Sequence, residues 1–413
     1  MLPDHTKGII YKSLVLGDTR LISDDLSQMG RHDWDDLTQI TTDHLLGPLL
    51  YQSLSREAII NSTPPKVIEN LRTQYQLHRA RNLNTYQKLA ELTELLTSNN
   101  IASVALKGAY LSIAAYPDIA LRPMRDLDLL ISRTQALPAY RLLIANGFKR
   151  IIGSGGPEPA LELAPHLPAL ASPKGVVVEL HHRLTNPETH TNCFMTENIW
   201  SRAIHKKVGK ASVQFPSPED LLIHLCEHAS IHHLFTIGPM VLSDINCLIK
   251  THALDWGYLL QATKEYQLTR ALLVTLMQVS SKLSTKIPEQ VLQTLAADQL
   301  DPGVLNAVDD LMLSRLEEYK NTNDLNIKLF YSNSVLTTLR VLVSRIFVPR
   351  LVIADEFNVS AGSLMVYFHY PRRWYRQITH RVPMLIRAYI NKNKTYKLAM
   401  QKQQLRDWLQ NDS

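Results

Sequence analysis

Asp126 and Asp128 stand two residues apart inside an apolar run, Arg122-Pro123-Met124-Arg125-Asp126-Leu127-Asp128-Leu129-Leu130-Ile131. Side chains alternate along a strand, so both carboxylates project from one face while Leu127, Leu129 and Ile131 go to the other. Two acids side by side repel each other unless a cation lies between them. Carboxylates are hard oxygen ligands that suit Mg²⁺ or Mn²⁺, and a divalent ion offsets the repulsion. An Asp-x-Asp pair alone is commonly a solvated strand edge. This run is too hydrophobic for an exposed edge, and acids within it are costly unless paired or metal-bound. A second β-branched run, Gly175-Val176-Val177-Val178-Glu179-Leu180-His181-His182, carries one further acid, Glu179. Brought beside the pair, Glu179 would complete a two-metal site of the kind used for phosphoryl or nucleotidyl transfer.

The surrounding pattern names the elements that must position these acids. Ile101-Ala102-Ser103-Val104-Ala105-Leu106 reads as a buried strand that ends at Lys107-Gly108 and passes into a helix over Ala109 to Tyr116. Strand, glycine, helix is a geometry that presents backbone N–H groups and a positive helix terminus to phosphate. Residues 8 to 98 carry helical spacing, as in Leu37, Ile40, Leu45 and Leu49 and again in Leu89, Leu92, Leu95 and Leu96, with Pro64-Pro65 as a break. From 99 to about 213 short apolar runs alternate with turns, and a helix over Gln135 to Asn146 closes at Gly147. Gly153-Ser154-Gly155-Gly156-Pro157 lacks the lysine and helix of a P-loop and reads as a flexible hairpin connection. After Pro216 the chain is helical again almost to its end, without a detectable repeat.

Leu106-Lys107-Gly108, Tyr116-Pro117, Arg122-Pro123, Asp126-Leu127-Asp128 and Val178-Glu179-Leu180-His181 together resemble the uncharacterised bacterial nucleotidyltransferase family of the polymerase-β-like superfamily. The likeness extends to Trp34 through Leu50 and to Pro218-Glu219-Asp220-Leu221-Leu222, Cys226-Glu227-His228-Ala229, Asp244-Ile245 and Asp255-Trp256. It covers most of residues 30 to 290 and is clearest between 101 and 184. Where the superfamily usually has Gly-Ser or Gly-Gly, this chain has Lys107-Gly108. The resemblance implies an α+β fold: a small mixed β-sheet nucleotidyltransferase core at 99–215, flanked by a helical region at 1–98 and another at 216–413.

Charge then suggests roles. Asp126 and Asp128 would hold the metal that bridges the triphosphate of an NTP, and Glu179 would complete the second metal and help deprotonate an attacking hydroxyl. Lys107, at the Gly108 turn, is the best candidate for a β/γ-phosphate contact, because a mobile ammonium can reach leaving pyrophosphate. Arg122 and Arg125 are either further phosphate cations or counter-ions of the acid cluster. His181, two residues after Glu179, should share its face, where it positions an acid or a substrate or is merely structural.

The chain has 413 residues, 45% of them hydrophobic and 20% charged, which describes an ordinary soluble protein with two or three structural units. Three cysteines, Cys193, Cys226 and Cys247, form no close-spaced metal pattern and suggest a reducing compartment. The N-terminus lacks the apolar core of a signal peptide and no run has the ~20 apolar residues of a transmembrane segment, so a cytoplasmic location is expected.

Two further patterns remain. His224, His228 and His232 fall at i, i+4 and i+8, on one helix face. Two histidines so spaced can share a zinc ion, but the zincin arrangement of glutamate is absent, so this face is expected to pack on the catalytic sheet with His228 near the pocket. Between Glu356 and Asp407 there is no acid, while Arg372, Arg373, Arg376, Arg381, Arg387, Lys392, Lys394, Lys397, Lys402 and Arg406 interleave with Tyr367, Phe368, Tyr370, Trp374, Tyr375 and Tyr389. RNA or an anionic membrane surface would select such a basic aromatic tail, and a solvated helical face with core aromatics would look the same.

The reading that follows is a metal-dependent nucleotidyltransferase that moves an NMP from an NTP to a hydroxyl acceptor and releases pyrophosphate. The alternatives are a nucleic-acid-binding protein on a degenerate transferase fold, and an interaction module whose pocket binds a nucleotide without turnover. The intact acid triad favours the transferase over the degenerate fold, because a decaying site typically loses a costly acid cluster early. Sugar, antibiotic, protein side chain and tRNA end all present a hydroxyl, and the sequence does not choose among them.

Overall fold

A computed structural model describes residues 2–16, 22–56, 59–151, 156–185, 192–296, 301–315, 348, 350, 353, 356–357, 359, 362–390 and 392–410, with the backbone alone for 192–194, 377–378, 380–390 and 392–395. Among the described residues, seven strands form one mixed sheet: β1 (Val104–Ala105), β2 (Leu127–Leu130), β3 (Lys149–Arg150), β4 (Leu170–Ala171), β5 (Val177–His181), β6 (Ile204–Val208) and β7 (Ala211–Phe215). Their order across the sheet is β3-β4-β5-β2-β1-β7-β6. β2 lies at the centre, antiparallel to β1 and parallel to β5. All four of its residues are buried, as its near-continuous apolar run requires of a strand covered on both faces.

Helical regions precede and follow the sheet in the chain, giving the α+β architecture expected from the sequence. One apolar core runs from Ile9 through the sheet residues Val104, Leu129, Val178 and Phe215 to Leu405 and Leu409. A small separate cluster joins Ile353 and Val366 in the C-terminal part. Among the described residues no helix is long and apolar enough to cross a membrane.

The helix Pro65–Ser98 is the longest support of the site, with 34 residues and a length of about 51 Å at 1.5 Å per residue. It starts at Pro65, where a missing N–H does no harm, and buries one face at Leu71, His78, Asn82, Tyr86, Leu89, Leu92 and Leu96. It stops in a left-handed turn: Asn100 has φ +57°, its N–H donates to Thr97 O, and the Ile101 N–H donates to Leu96 O at 2.9 Å. That stop shortens the expected strand 101–106 to Val104–Ala105, since Ile101 still belongs to the helix cap. The next helix covers Gly108–Ala114, and the one read at Gln135 to Asn146 covers Arg133–Ala145, with Gly147 at φ +87° behind it. Most of the glycine cluster, residues 153–155, lies outside the described residues, while Gly156 caps the helix Pro157–Leu163.

Candidate active site

Sheet register builds the acid wall. Asp128 on β2 pairs in parallel with Glu179 on β5, so the two carboxylates rise side by side from the same face. His181, two residues further along β5, shares that face, and its Nε2 lies 2.9 Å from Asp128 Oδ1 and 3.6 Å from Glu179 Oε2. Asp126 immediately precedes β2 and lines the mouth of the same cleft. The cleft has a volume of about 590 Å³, within the range of small-molecule sites. Lys107, Gly108, Arg122, Arg125, Asp126, Asp128, Glu179, His181 and His228 all line it.

Lys107 sits on the turn between β1 and the helix Gly108–Ala114 at φ +47°, a conformation that a non-glycine residue adopts only under local strain. The turn aims its ammonium back at the acids, with Nζ 3.1 Å from Asp128 Oδ2. Gly108 is required beside it, because a Cβ there would come within 2.9 Å of Arg122 Nη1 and 3.1 Å of Met124 Cγ.

Burial opposes the charge of each of these groups, and their neighbours decide the outcome. Lys107 and His181 hold the buried Asp128 carboxyl well below its ordinary range. Asp128, Asp126 and Glu179 in turn raise Lys107, while hydrogen bonds to Asp128 and Glu179 raise His181. Glu179 is lowered by His181 and by His166, whose Nε2 is 3.8 Å from Glu179 Oε2. Asp126 behaves oppositely: the water-poor surroundings of the cleft, followed by Asp128 and Glu179, push it up to about 6 against Lys107 and Arg122. The acid wall therefore carries more negative charge than its own cations balance.

Arg122 is locked in place. Its Nε donates to both oxygens of the buried Asp244 at 2.9 and 3.2 Å, Nη2 donates to Oδ2 at 2.9 Å, and Nη1 donates to Pro123 O at 2.8 Å. The Tyr116 hydroxyl donates to the same carboxylate at 2.8 Å. Of the two roles open to Arg122, counter-ion is the one seen, though its partner is Asp244 on the helix Met240–Thr251 and not the acid cluster. Arg125 stays at the rim, where Nη2 donates to Asp43 O at 2.9 Å. From the long helix, Asn82 donates to Ile119 O and Arg122 O and accepts from the Met124 N–H, which pins the segment leading into Asp126.

The opposite wall is histidine-rich. The helix Pro218–Glu227 widens into a π-helical turn at His228–His232, and the chain then passes through Leu234 at φ +45° and Phe235 at φ +59°. Two buried hydrophobic residues in the left-handed region cost ~1–2 kcal/mol each. Gly238, at φ +95°, completes the bend because a Cβ there would strike the ring of His44, 2.2 Å from Nδ1. The three rings expected on one face do follow one another, His224 to His228 at 5.9 Å and His228 to His232 at 5.8 Å between centroids, but only His228 and His232 line the cleft. His224 is buried behind the wall at 1% exposure, and His233 takes its place beside His228 and His232 at the cleft. Burial first, then Lys107, hold His228 well below its usual range, and His232 is lowered for the same two reasons. Burial, followed by His232 and Lys107, lowers His233 to about 4. All three rings are thus neutral at pH 7.

Residues 30–283 match a family described as uncharacterised nucleotidyltransferases. The chain belongs to this family. The nucleotidyltransferase match contains the acid wall, Lys107, the Arg122–Asp244 pair and the histidine turn. Among solved structures, the chain is similar to an antigenic nucleotidyltransferase-like protein from Paracoccidioides brasiliensis, at 20% identity over 49% of this chain and 93% of that one, with a TM-score of 0.33. No curated protein matches.

Sequence reasoning did not single out His166, His233, Asn82 or Asp244 as site residues. Asp244 carried a signal within the family resemblance, whereas His233 becomes visible only once the π-turn is known. In the tail, part of the charge is balanced internally: Arg373 and Arg376 pair with Glu356, and Lys397 Nζ lies 2.8 Å from Asp310 Oδ2. Tyr370 donates to Val348 O, while Tyr367, Phe368 and Tyr375 are exposed. The side chains of Arg381, Arg387, Tyr389, Lys392 and Lys394 lie outside the described residues.

Proposed function

We propose that the cleft transfers a nucleoside monophosphate from an NTP to a hydroxyl acceptor and releases pyrophosphate, with Mg²⁺ or Mn²⁺ as its resident cation. The register pair Asp128–Glu179, with Asp126 at the mouth of the same cleft, carries this reading. The donor set fits a hard divalent ion: it offers oxygens of three carboxylates, and Asp126, raised first by burial and then by Asp128 and Glu179, carries a cost that a cation would offset. Asp126, Asp128 and Glu179 would hold the ion, which when bound supplies Lewis-acid stabilisation of charge on the phosphoryl oxygens.

The chain's own residues supply the remaining work. Lys107 is the cation nearest the acids, and by turning from Asp128 to the β- and γ-phosphates it neutralises the leaving pyrophosphate. Glu179, kept ionised at neutral pH by His181 and His166, accepts the proton of the attacking hydroxyl. His181 fixes the orientation of both register-paired acids. With Arg122 held by Asp244, Arg125 at the rim is the arginine that shifts toward a triphosphate. On the same reading, Phe368, Arg372 and Tyr375, exposed on the helix Met365–Ile390, add affinity for a polyanion such as RNA or an anionic membrane surface and contribute no chemistry.

Incubation of the protein with each α-labelled NTP, Mg²⁺ and a cell extract tests this reading. One extract fraction should gain label as pyrophosphate appears, and a chelator should abolish both. No labelled product from any NTP with Mg²⁺ or Mn²⁺ would contradict it.

A further inference from the structure

The histidine wall carries chemistry that the acid wall does not require. One nitrogen each of His228, His232 and His233 lies within 4.8 Å of the others, and all three rings face the cleft. The rings of His228 and His233 meet edge to face at 4.5 Å between centroids, with His232 at 5.8 Å from His228 and 6.1 Å from His233. Three imidazoles held this close can each offer one nitrogen to a single ion. Behind them lies Glu227, 2% exposed, with neither carboxyl oxygen hydrogen-bonded among the described residues, and its Oε1 is 3.8 Å from His232 Nε2. A buried acid without a hydrogen bond is costly, burial pushes the Glu227 carboxyl up to about 8, and its place behind the His232 ring is where a carboxyl could orient a metal-ligating imidazole. The helix is remodelled at this very place by a π-turn and two left-handed residues, the kind of local departure that is kept where a site needs it.

We propose that His228, His232 and His233 form a site for a zinc-class transition-metal ion, with Glu227 as the buried carboxylate that orients His232. Three nitrogen ligands with a fourth position open to the cleft is the donor arrangement of a zinc site that binds an exogenous group. Imidazole suits Zn²⁺ and disfavours Mg²⁺, so this site and the oxygen-rich acid wall select different ions. A cation here faces the same cleft as Lys107 and would draw an anionic portion of a substrate to the wall opposite the acids. The site stands independently of the transfer chemistry proposed above.

Titration of the full chain, freed of any histidine tag, with ZnCl₂ in a large excess of Mg²⁺ tests it. One Zn²⁺ per chain should bind and resist Mg²⁺. Affinity should fall by about 100-fold or more in His232→Ala and by about 10–100-fold in Glu227→Gln, and should survive in Asp128→Asn. Zn²⁺ binding that is lost in Asp128→Asn and kept in His232→Ala, or that Mg²⁺ displaces, would overturn the proposal. If His232→Ala fails to fold by circular dichroism, X-ray absorption of the zinc-loaded wild-type chain decides: three imidazoles are expected, and an oxygen shell with at most one imidazole would overturn it.

Discussion

The acid wall and the histidine wall of one cleft place polar groups where water is scarce by opposite means. On the acid wall, regular sheet register sets Asp128 beside Glu179, and Lys107, His181 and His166 answer the two carboxylates. On the histidine wall, a helix loses its regular period, and Glu227 and His224 are buried with no hydrogen-bond partner. The register-paired acids thus meet cations of the chain itself, though not enough of them to answer Asp126 as well. Glu227 and His224, at the end of a regular helix, meet no hydrogen-bond partner among the described residues. Both walls depend on distant supports, Asn82 and Asp244 for one and Gly238 against His44 for the other.

The largest effect is expected at a support. Asp244→Ala leaves the Arg122 guanidinium and the Tyr116 hydroxyl without their shared acceptor, and breaking such a buried pair should cost ~3–5 kcal/mol in urea unfolding. A loss below about 1 kcal/mol would show that this pair does not anchor the segment carrying Asp126.

Next comes the acid wall itself. Asp128→Asn keeps the shape but removes the charge that Lys107 and His181 share, so turnover should fall by roughly 10²–10³ while the circular dichroism spectrum is unchanged. Unaltered turnover would shift the chemistry away from β2. Lys107→Ala should act on binding more than on turnover, weakening NTP affinity by about tenfold. This reads out as a smaller rise in Tm at a fixed NTP concentration. An identical rise in both proteins would place the phosphates elsewhere.

The sharpest comparison of the walls is their pH response, because the two have opposite sign. Asp126, raised from 3.8 to about 6, keeps a proton in the folded chain that the unfolded chain releases. Its contribution is therefore full below pH 3.8 and lost as pH rises through about 6. His233, lowered from 6.5 to about 4, excludes a proton that the unfolded chain takes up. Its contribution is full above pH 6.5 and lost as pH falls through about 4. With chelator present, Asp126→Asn should gain stability relative to wild type as pH rises from 4 to 6, and His233→Gln should gain it as pH falls over the same range. Parallel curves for either variant would remove that group from the account.

The acid wall was legible in the sequence because period-two alternation fixes which residues share a strand face, and Asp126, Asp128, Glu179 and His181 obey it. The fold was legible for a related reason: apolar runs between turns mark the sheet, and spacing near four marks the helices on either side. The histidine wall was only half legible. His224, His228 and His232 follow helical spacing and their rings follow one another, but neither the burial of His224 nor the turn that brings His233 to the cleft has a period to read. Partners separated by long stretches of chain, such as Arg122 and Asp244, leave no local pattern at all. Strand ends were also hidden, since the helix cap at Asn100 and Ile101 takes residues whose composition suits a strand.

On the reading proposed above, the acid wall moves the α-phosphorus of an NTP. Paired reactions with the same NTP labelled at the α- or at the γ-phosphorus, for wild type and Asp128→Asn, separate this from every other transfer. Wild type should place α-label on the acceptor and γ-label in pyrophosphate, and Asp128→Asn should lose both together. Gamma-label on the acceptor, or α-label transfer that survives Asp128→Asn undiminished, would contradict it.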